Sequence, residues 1–168
     1  ARLRPRAAPT PLHADLETVT TGIRSAVDGD AAALARIYDP YVRATTVTFE
    51  EVPVAPEEMA SRVRAVLSGG LPWLVAEQDG QVFGYAYAGP WKSRAAYRFA
   101  VEVTVYLAPG QMRRGLGTRL YEELFARLRE RGVHTVVGGS ALPNDASVAL
   151  HERLGMVKVA HFREIGFK

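Results

Sequence analysis

The chain has 168 residues, of which 48% are apolar and 23% charged, with a formal net charge of +3. These values are typical of one globular domain that can bury a substantial core. The absence of cysteine excludes disulfides, thiolate catalysis and cysteine-built metal sites, and with only four histidines we predict no metal site. The modest charge does not require nucleic acid, and no apolar run approaches the roughly 20 residues that span a bilayer. We therefore predict neither a nucleic-acid nor a membrane partner.

The N-terminal segment differs in composition from the rest of the chain. Residues 1–18 are rich in arginine, proline and alanine and contain no apolar stretch of the kind found in secretory signals. We predict a flexible leader over 1–18, a single domain over 19–168 and a cytoplasmic location.

The first elements are a short strand and two helices. The strand is predicted over Val19–Val27, and Asp28 is predicted to cap a helix that continues to about Tyr41. Pro56 suits the first turn of a second helix, which Gly69–Gly70 would end.

Three strands follow in the middle of the chain. Trp73–Gln78 and Val82–Ala88 are predicted to pair through Asp79–Gly80, a favoured hairpin turn. Val101–Leu107 alternates so that its valines and leucine share one face and Glu102, Thr104 and Tyr106 share the other.

The last part begins with a long helix whose leucines recur at four-residue steps, and Gly132 is predicted to end it. A strand over Val133–Gly138, a helix over Asp145–Leu154 and a final strand over Met156–Glu164 are predicted next. This order predicts an α/β or α+β sheet with helices on both faces.

A glycine-rich turn connects the strand ending at Leu107 to the long helix. Its glycines allow close approach of a ligand to the backbone, and the helix N-terminus and two arginines favour an anion there. The turn lacks the Gly-Lys-Ser/Thr of a Walker loop and the third glycine of a dinucleotide fingerprint. The alternative is an ordinary basic strand–helix turn. The residues concerned are Gln111, Met112, Arg113, Arg114, Gly115, Leu116, Gly117 and Thr118.

Residues 112–117 resemble the pyrophosphate loop, Gln/Arg-x-x-Gly-x-Gly/Ala, of the GNAT superfamily of N-acetyltransferases. Residues 142–156 resemble the coenzyme-side helix of that superfamily. The segments Thr48–Glu50, Trp91–Tyr97 and Glu102–Tyr106 are similar to its phosphinothricin (methionine sulfone) acetyltransferase branch. The similarity covers roughly residues 22–168.

The resemblance implies a mostly antiparallel sheet of GNAT type, acetyl-coenzyme A as co-substrate, a small amino-acid-like amine as acceptor and a homodimer. Two features depart from the family pattern. Met112 stands where Gln or Arg is usual, and we expect weaker side-chain help to phosphate binding. Relatives continue beyond Lys168 into a final strand, so we expect that strand to be missing or replaced by another chain.

The resemblance makes Glu102 the candidate general base. An amine with a pKa near 10 is mostly protonated at pH 7, so a base must remove a proton before the nitrogen can attack. Glu102 is flanked by valines, and we expect burial to raise its pKa. The alternative is a solvent-facing strand residue.

The other roles are also implied by the resemblance. His151 stands where many members have the tyrosine that protonates the thiolate, although it could be a helix-surface residue. The backbone of Val105 and Leu107 and the side chain of Asn144 are expected to bind the pantetheine arm, and Asn144 could also cap a helix. The coenzyme phosphates are assigned to residues 113–118. On the acceptor side, the candidates are Phe49, Arg94 and Tyr97, with core packing or solvent exposure as the alternatives.

Three alternative functions remain open from the sequence. The same machinery could acetylate a polyamine, a drug or a protein N-terminus. The chain could instead be a non-catalytic coenzyme-binding or regulatory module. A nucleic-acid binder is disfavoured because no aromatic residues interleave a basic stripe.

Overall fold

The structure is a computed structural model that describes residues 21–112 and 114–168. The predicted leader and the first residues of the strand predicted at Val19–Val27 lie outside this part of the chain. The elements, in chain order, are β1 (Gly22–Ser25), a 3₁₀ turn (Asp28–Asp30), α1 (Ala31–Ala44), α2 (Pro56–Ser68), β2 (Trp73–Gln78), β3 (Gln81–Pro90), a second 3₁₀ turn (Ala95–Tyr97), β4 (Ala100–Leu107), α3 (Leu116–Glu130), β5 (Thr135–Val137) and α4 (Asp145–Arg153).

One five-stranded sheet has the order β1-β2-β3-β4-β5. Neighbouring strands are antiparallel except β4 and β5, which are parallel and connected through α3. This arrangement confirms the predicted mostly antiparallel sheet with a strand–helix–strand unit.

Helices pack on both faces of the sheet, as predicted. On one face, α1 and α2 contribute Leu34 and Val63 to a core that contains Trp73. On the other face, α3 contributes Leu120 and Leu124, both fully buried. The four-residue spacing of leucines in α3 therefore marks its buried face. No helix in residues 21–112 or 114–168 has the length and apolarity needed to cross a membrane.

Several predicted boundaries are confirmed. Pro56 begins α2, and Gly132, at φ +72°, follows the last turn of α3. Asp79 and Gly80 both have positive φ, 52° and 75°, as a two-residue hairpin turn between β2 and β3 requires.

The predicted cap of α1 is wrong by two residues. Asp28 lies in the 3₁₀ turn, and Asp30 precedes the α-helix. The Asp30 carboxylate accepts hydrogen bonds from the Val27 N–H at 2.8 Å and from Arg24. Burial by itself would raise the pKa of Asp30, but these hydrogen bonds outweigh burial and hold the pKa below its usual value. Asp30 therefore holds the start of the helix through Val27, three residues before it, and Arg24, six residues before it.

The end of the sheet also differs from the prediction. β5 covers only Thr135–Val137, and residues 156–164 form no strand. Val157 and Val159 are 77% and 87% exposed. With only three residues, β5 offers few backbone groups for a further strand to pair with. Val157 and Val159 therefore have no sheet face on which to be buried.

Candidate active site

The parallel strands β4 and β5, the latter at the end of the sheet, diverge. β4 pairs with β3 from Val101 to Leu107, but with β5 only from Ala100 to Glu102. Beyond Glu102 the β5-facing edge of β4 therefore borders a gap.

Alternation of the β3–β4 ladder determines which backbone groups face this gap. The Ala108 N–H donates to the Phe83 carbonyl at 2.7 Å, and the Ala100 carbonyl accepts from the Trp91 N–H at 3.2 Å. Both residues therefore bond toward β3. In an antiparallel ladder every second residue points the other way. Val103, Val105 and Leu107 therefore direct their N–H and C=O groups into the gap, which places both strand residues proposed from the sequence at its edge.

One of these carbonyls already has a partner. The Tyr41 hydroxyl, from α1, donates to the Leu107 carbonyl at 2.7 Å. Burial raises the pKa of Tyr41, although this hydrogen bond acts in the opposite direction, so the phenol is protonated at neutral pH. Leu107 thus offers mainly its N–H to a ligand. Sequence reasoning missed Tyr41 because an aromatic residue in an amphipathic helix has the pattern of core packing.

The glycine-rich turn presents free amides at the start of α3. Gly115 adopts a left-handed conformation (φ 74°), and the first helical bond runs from the Arg119 N–H to the Gly115 carbonyl at 3.0 Å. The N–H groups of residues 116–118 precede that bond and form the positive end of the helix. Arg114 is exposed, whereas Arg113 lies outside the described residues. This geometry suits a phosphate group.

α4, which Asn144 caps and which carries His151, packs against the first turns of α3. Asn144 caps α4, because its Oδ1 accepts from the Ser147 N–H at 3.1 Å. The cap uses only the oxygen, so the same side chain can donate from its NH₂ group to a ligand. Leu150 lies against the start of α3, 3.4 Å from where a methyl group at Gly117 would stand.

Glu102 stands where β4 and β5 part. Its side chain is exposed, so the burial expected from its valine neighbours is wrong for the carboxylate. The valines turn to the α3 face of the sheet and leave Glu102 on the other face. A methyl group at Gly139 would lie 3.5 Å from Glu102 Oε1, which places the carboxylate beside the segment that follows β5.

His151 lies against the same segment. Its Nδ1 is 2.7 Å from the Ser147 carbonyl, an arrangement that requires a proton on Nδ1. Its Nε2 is buried, has no hydrogen-bond partner among the described residues, and would be 2.5 Å from a methyl group at Gly138. In that tautomer Nε2 carries the lone pair. The structure thus places Glu102 and His151 beside two successive glycines, Gly139 and Gly138.

A pocket of about 610 Å³ opens on the α1 face of the sheet. Of the three predicted acceptor residues, Phe49 lines it. Arg94 and Tyr97 do not, because both lie in the exposed loop between β3 and β4. The lining residues are Tyr38, Thr48, Phe49, Glu50, Glu51, Val52, Tyr87, Thr104 and Tyr106.

The pocket is rich in hydroxyl groups. Tyr38 and Thr48 share a 2.5 Å hydrogen bond. Burial raises the pKa of Tyr106 and of Tyr87, and the nearby Glu102 carboxylate adds to the effect on Tyr87. The phenols are therefore neutral hydrogen-bonding groups at physiological pH. Sequence reasoning missed them because alternating tyrosines in strands also form ordinary cores.

The pocket also carries acidic side chains. Glu50 accepts from Arg62 of α2 at 2.6 Å, and Glu51 lines the same wall. The last residue also contacts this wall, because Lys168 Nζ donates a hydrogen bond to the Thr48 carbonyl at 2.9 Å. In residues 21–112 and 114–168, no group of three or more potential metal ligands is placed to hold an ion.

Strand register connects this pocket to Glu102. The cross-strand pairs Tyr85–Tyr106, Tyr87–Thr104 and Gly89–Glu102 follow one another along β3 and β4. Alternation puts all six residues on the α1 face. The floor of the pocket therefore continues along β3 and β4 as far as Glu102. The gap between β4 and β5 begins at the same residue, on its β5 side.

A family model described as the Acetyltransferase (GNAT) family matches residues 28–156. The chain belongs to this family. It is 43% identical to a phosphinothricin N-acetyltransferase of Streptomyces viridochromogenes, over 87% of this chain and 79% of that protein. It is 35% identical to an L-methionine sulfoximine/L-methionine sulfone acetyltransferase of Salmonella typhimurium, over 87% of this chain and 85% of that protein.

A solved structure agrees with these sequence matches. The GNAT phosphinothricin acetyltransferase of Sinorhizobium meliloti in complex with AcCoA superposes with a TM-score of 0.85 and 35% identity, covering 89% of this chain and 81% of that one. The predicted GNAT fold, the phosphinothricin/methionine sulfone branch and the assignment as an acetyl-CoA-dependent N-acetyltransferase are confirmed.

Proposed function

We propose that this GNAT enzyme transfers acetyl from acetyl-CoA to the primary amine of a small amino-acid-like acceptor of the phosphinothricin, methionine sulfone or methionine sulfoximine type. The observation that carries the proposal is the convergence of two sites at Glu102: the open β4 edge on one side and the hydroxyl-rich pocket on the other. The names of the relatives support the choice of acceptor class.

The chain offers groups that fit the pyrophosphate and the pantetheine arm of acetyl-CoA. The pyrophosphate is assigned to the amides of residues 116–118, with charge from Arg113 and Arg114. The pantetheine arm is assigned to the gap, where backbone groups of Val105, the Leu107 N–H and the Asn144 NH₂ can bond its amides. A backbone N–H at this edge would also stabilise the oxyanion that forms on the thioester carbonyl.

Glu102 is assigned as the general base. Because its carboxylate is exposed, it removes the ammonium proton directly or through one water molecule. The neutral nitrogen attacks the thioester carbonyl, and the tetrahedral intermediate collapses with cleavage of the carbon–sulfur bond. The coenzyme thiolate leaves and takes a proton, which is balanced by the second proton that the acylated nitrogen gives up to become an amide. With no cysteine in the chain, transfer proceeds directly in a ternary complex.

His151 is the assigned proton donor to the thiolate. Since its neutral ring holds a proton only at Nδ1, which is bonded to Ser147, donation from Nε2 requires the doubly protonated ring. The alternative is that His151 orders the segment beside Glu102 without transferring a proton.

An acceptor panel tests the proposed reaction. Thiol release from acetyl-CoA is measured with L-phosphinothricin, L-methionine sulfone and L-methionine sulfoximine, and with spermidine and an alanine-terminated peptide for comparison. We expect kcat/KM for at least one amino-acid-like acceptor to exceed that of the polyamine and peptide by about 100-fold or more. A preference for the peptide or polyamine would contradict the acceptor class, and coenzyme binding without thiol release would indicate a non-catalytic module.

The oligomeric state and the location are proposals from the sequence. A homodimer is supported by the exposed valines at 157 and 159, which lie after α4 and have no partner face in the described chain. Analytical ultracentrifugation of the protein tests it, and a monomer at micromolar concentration would contradict it. The cytoplasmic location stays a prediction.

A further inference from the structure

The hydroxyl-rich pocket carries negative charge that its lining does not balance. Among the described residues, the lining includes two carboxylates, Glu50 and Glu51, and no lysine or arginine. Its floor continues along β3 and β4 to a third carboxylate, that of Glu102. The phenols of Tyr87 and Tyr106 are neutral at physiological pH, because burial raises their pKa. An acceptor in this pocket therefore faces an excess of negative charge.

Two basic side chains stand just outside the lining. Arg62 of α2 bonds to Glu50 at 2.6 Å and to Glu58 at 3.0 Å, so one guanidinium serves two carboxylates. The Lys168 ammonium donates to a backbone carbonyl of the pocket wall at 2.9 Å. Glu51 is exposed and forms no ion pair within the part of the chain that the structure describes. Glu51 is therefore the lining carboxylate whose charge no described ion pair compensates.

The acceptors of the proposed function differ in charge but hardly in shape. Phosphinothricin and methionine sulfone share one amino-acid skeleton, and each ends in a methyl group and two oxygens on phosphorus or on sulfur. The phosphinate is ionised at neutral pH, whereas the sulfone is uncharged, and methionine sulfoximine carries a neutral imino group in place of one sulfone oxygen. Phosphinothricin thus brings an additional negative charge into the same volume, whichever end of the acceptor lies deeper in the pocket.

Hydroxyl groups and carboxylates respond differently to this additional charge. Phenol and threonine hydroxyls can donate to a sulfonyl oxygen as well as to a phosphinate oxygen. A phosphinate must in addition give up hydration at a wall that presents like charges and no cation in its described lining, which disfavours its binding. Discrimination between ligands of equal shape can rest on such a repulsive element without any new attractive contact.

We propose that the Glu51 carboxylate makes the pocket selective for acceptors with an uncharged side-chain end, so that methionine sulfone and methionine sulfoximine are preferred to phosphinothricin. The proposal rests on the proposed function and names, within its acceptor class, the charge type that the pocket selects. Glu51 acts across the pocket through its charge and takes no part in the proton transfer at Glu102. The selectivity therefore weakens with ionic strength, because the screening length falls from about 10 Å at 0.1 M salt to about 3 Å at 1 M.

The isosteric acceptors provide the test. The ratio of kcat/KM for L-methionine sulfone to kcat/KM for L-phosphinothricin is measured in wild type, Glu51→Gln and Glu51→Lys, at low and at high salt. The control, Glu130→Gln, removes the same charge from an exposed position at the end of α3, on the opposite face of the sheet. Thermal midpoint and acetyl-CoA Kd are measured for each variant. If phosphinothricin is not turned over measurably, its inhibition constant against methionine sulfone replaces its kcat/KM.

The expected result is a change in the ratio that follows the charge at position 51. Wild type prefers methionine sulfone by about 10-fold or more, and Glu51→Gln lowers this preference by about 3- to 10-fold, mainly by raising kcat/KM for phosphinothricin. Glu51→Lys lowers it further, high salt reduces it in wild type, and Glu130→Gln leaves it unchanged, with acetyl-CoA Kd and thermal midpoint close to wild type throughout.

Two results would overturn the role of Glu51 and leave the proposed function intact. One is a wild type that uses phosphinothricin as well as or better than methionine sulfone. The other is a ratio that is the same in wild type, Glu51→Gln and Glu51→Lys. A wild type that acetylates neither amino acid would instead refute the proposed function itself.

Discussion

The two glycines of β3 provide a sharp test of how the sheet is packed around the coenzyme edge. Replacing Gly84 by alanine puts a methyl group 2.6 Å from Leu107 Cδ2 and 3.1 Å from the Tyr106 carbonyl oxygen. The leucine side chain can move, but the carbonyl belongs to a paired strand and yields only if β4 shifts away from β3. Overpacking of this kind costs about 1–3 kcal/mol.

The entropic effect of the substitution has the opposite sign and can be measured at Gly89. Alanine restricts the unfolded chain and stabilises by about 0.4–1 kcal/mol where the native conformation permits it. At Gly89 an added methyl group would meet no described atom within 4 Å, so only this entropic stabilisation is expected there. We expect Gly84→Ala to be destabilising by about 0.5–2.5 kcal/mol net and Gly89→Ala to be slightly stabilising.

Urea unfolding followed by tyrosine and tryptophan fluorescence measures both values, and a thermal scan should show a lower Tm for Gly84→Ala by about 2–8 °C. Because the forced shift falls at Tyr106 and Leu107, Gly84→Ala should also weaken acetyl-CoA binding, whereas Gly89→Ala should not. Equal stability of the two variants would refute the packing described here.

Three further predictions concern the helices around the site. Asn144→Ala should lower the free energy of unfolding by about 0.5–2 kcal/mol, because the α4 cap is lost. Asn144→Asp should keep the cap and raise the acetyl-CoA Kd, measured by calorimetry, by about 2- to 10-fold. An unchanged Kd in both variants would remove Asn144 from the coenzyme site. Asp30→Asn should lower stability at pH 7 by about 1.5–3 kcal/mol. Because the pKa of Asp30 is held below its usual value, this stabilisation is complete above about pH 4 and is lost as the pH falls through the folded-state pKa. The urea midpoints of variant and wild type should therefore converge in acid. A difference that does not depend on pH would contradict the ion pair. Tyr41→Phe should cost about 0.5–1.5 kcal/mol through loss of its hydrogen bond to the Leu107 carbonyl, and an unchanged urea midpoint would count against that bond.

Local patterns predicted most of the architecture. Four-residue leucine spacing located the buried face of α3, and Asp79–Gly80 located the β2–β3 hairpin. These features depend on neighbours in the sequence, so propensity and periodicity suffice. Family resemblance then supplied the candidate coenzyme loop and the candidate base Glu102, which lies where β4 and β5 diverge.

Features that depend on the assembled fold were missed or misplaced. Asp30 rather than Asp28 lies at the start of α1, where its carboxylate bonds to Arg24 of β1 and to the Val27 N–H. The pocket tyrosines and Tyr41 have the pattern of ordinary core residues, and only the assembled fold shows which of their hydroxyls face a cavity or a carbonyl. Arg94 and Tyr97 were assigned to the acceptor from the resemblance, yet they lie in an exposed loop outside the pocket lining.

In the proposed enzyme the gap beside β4 and the acceptor pocket meet at Glu102, and the variant Glu102→Gln probes this junction. The side chain is exposed, so the isosteric change should leave folding intact. With L-methionine sulfone and saturating acetyl-CoA, the variant should lose kcat by about 100-fold or more while its Kd for acetyl-CoA stays within about twofold of wild type. Near-normal turnover in Glu102→Gln would contradict the account.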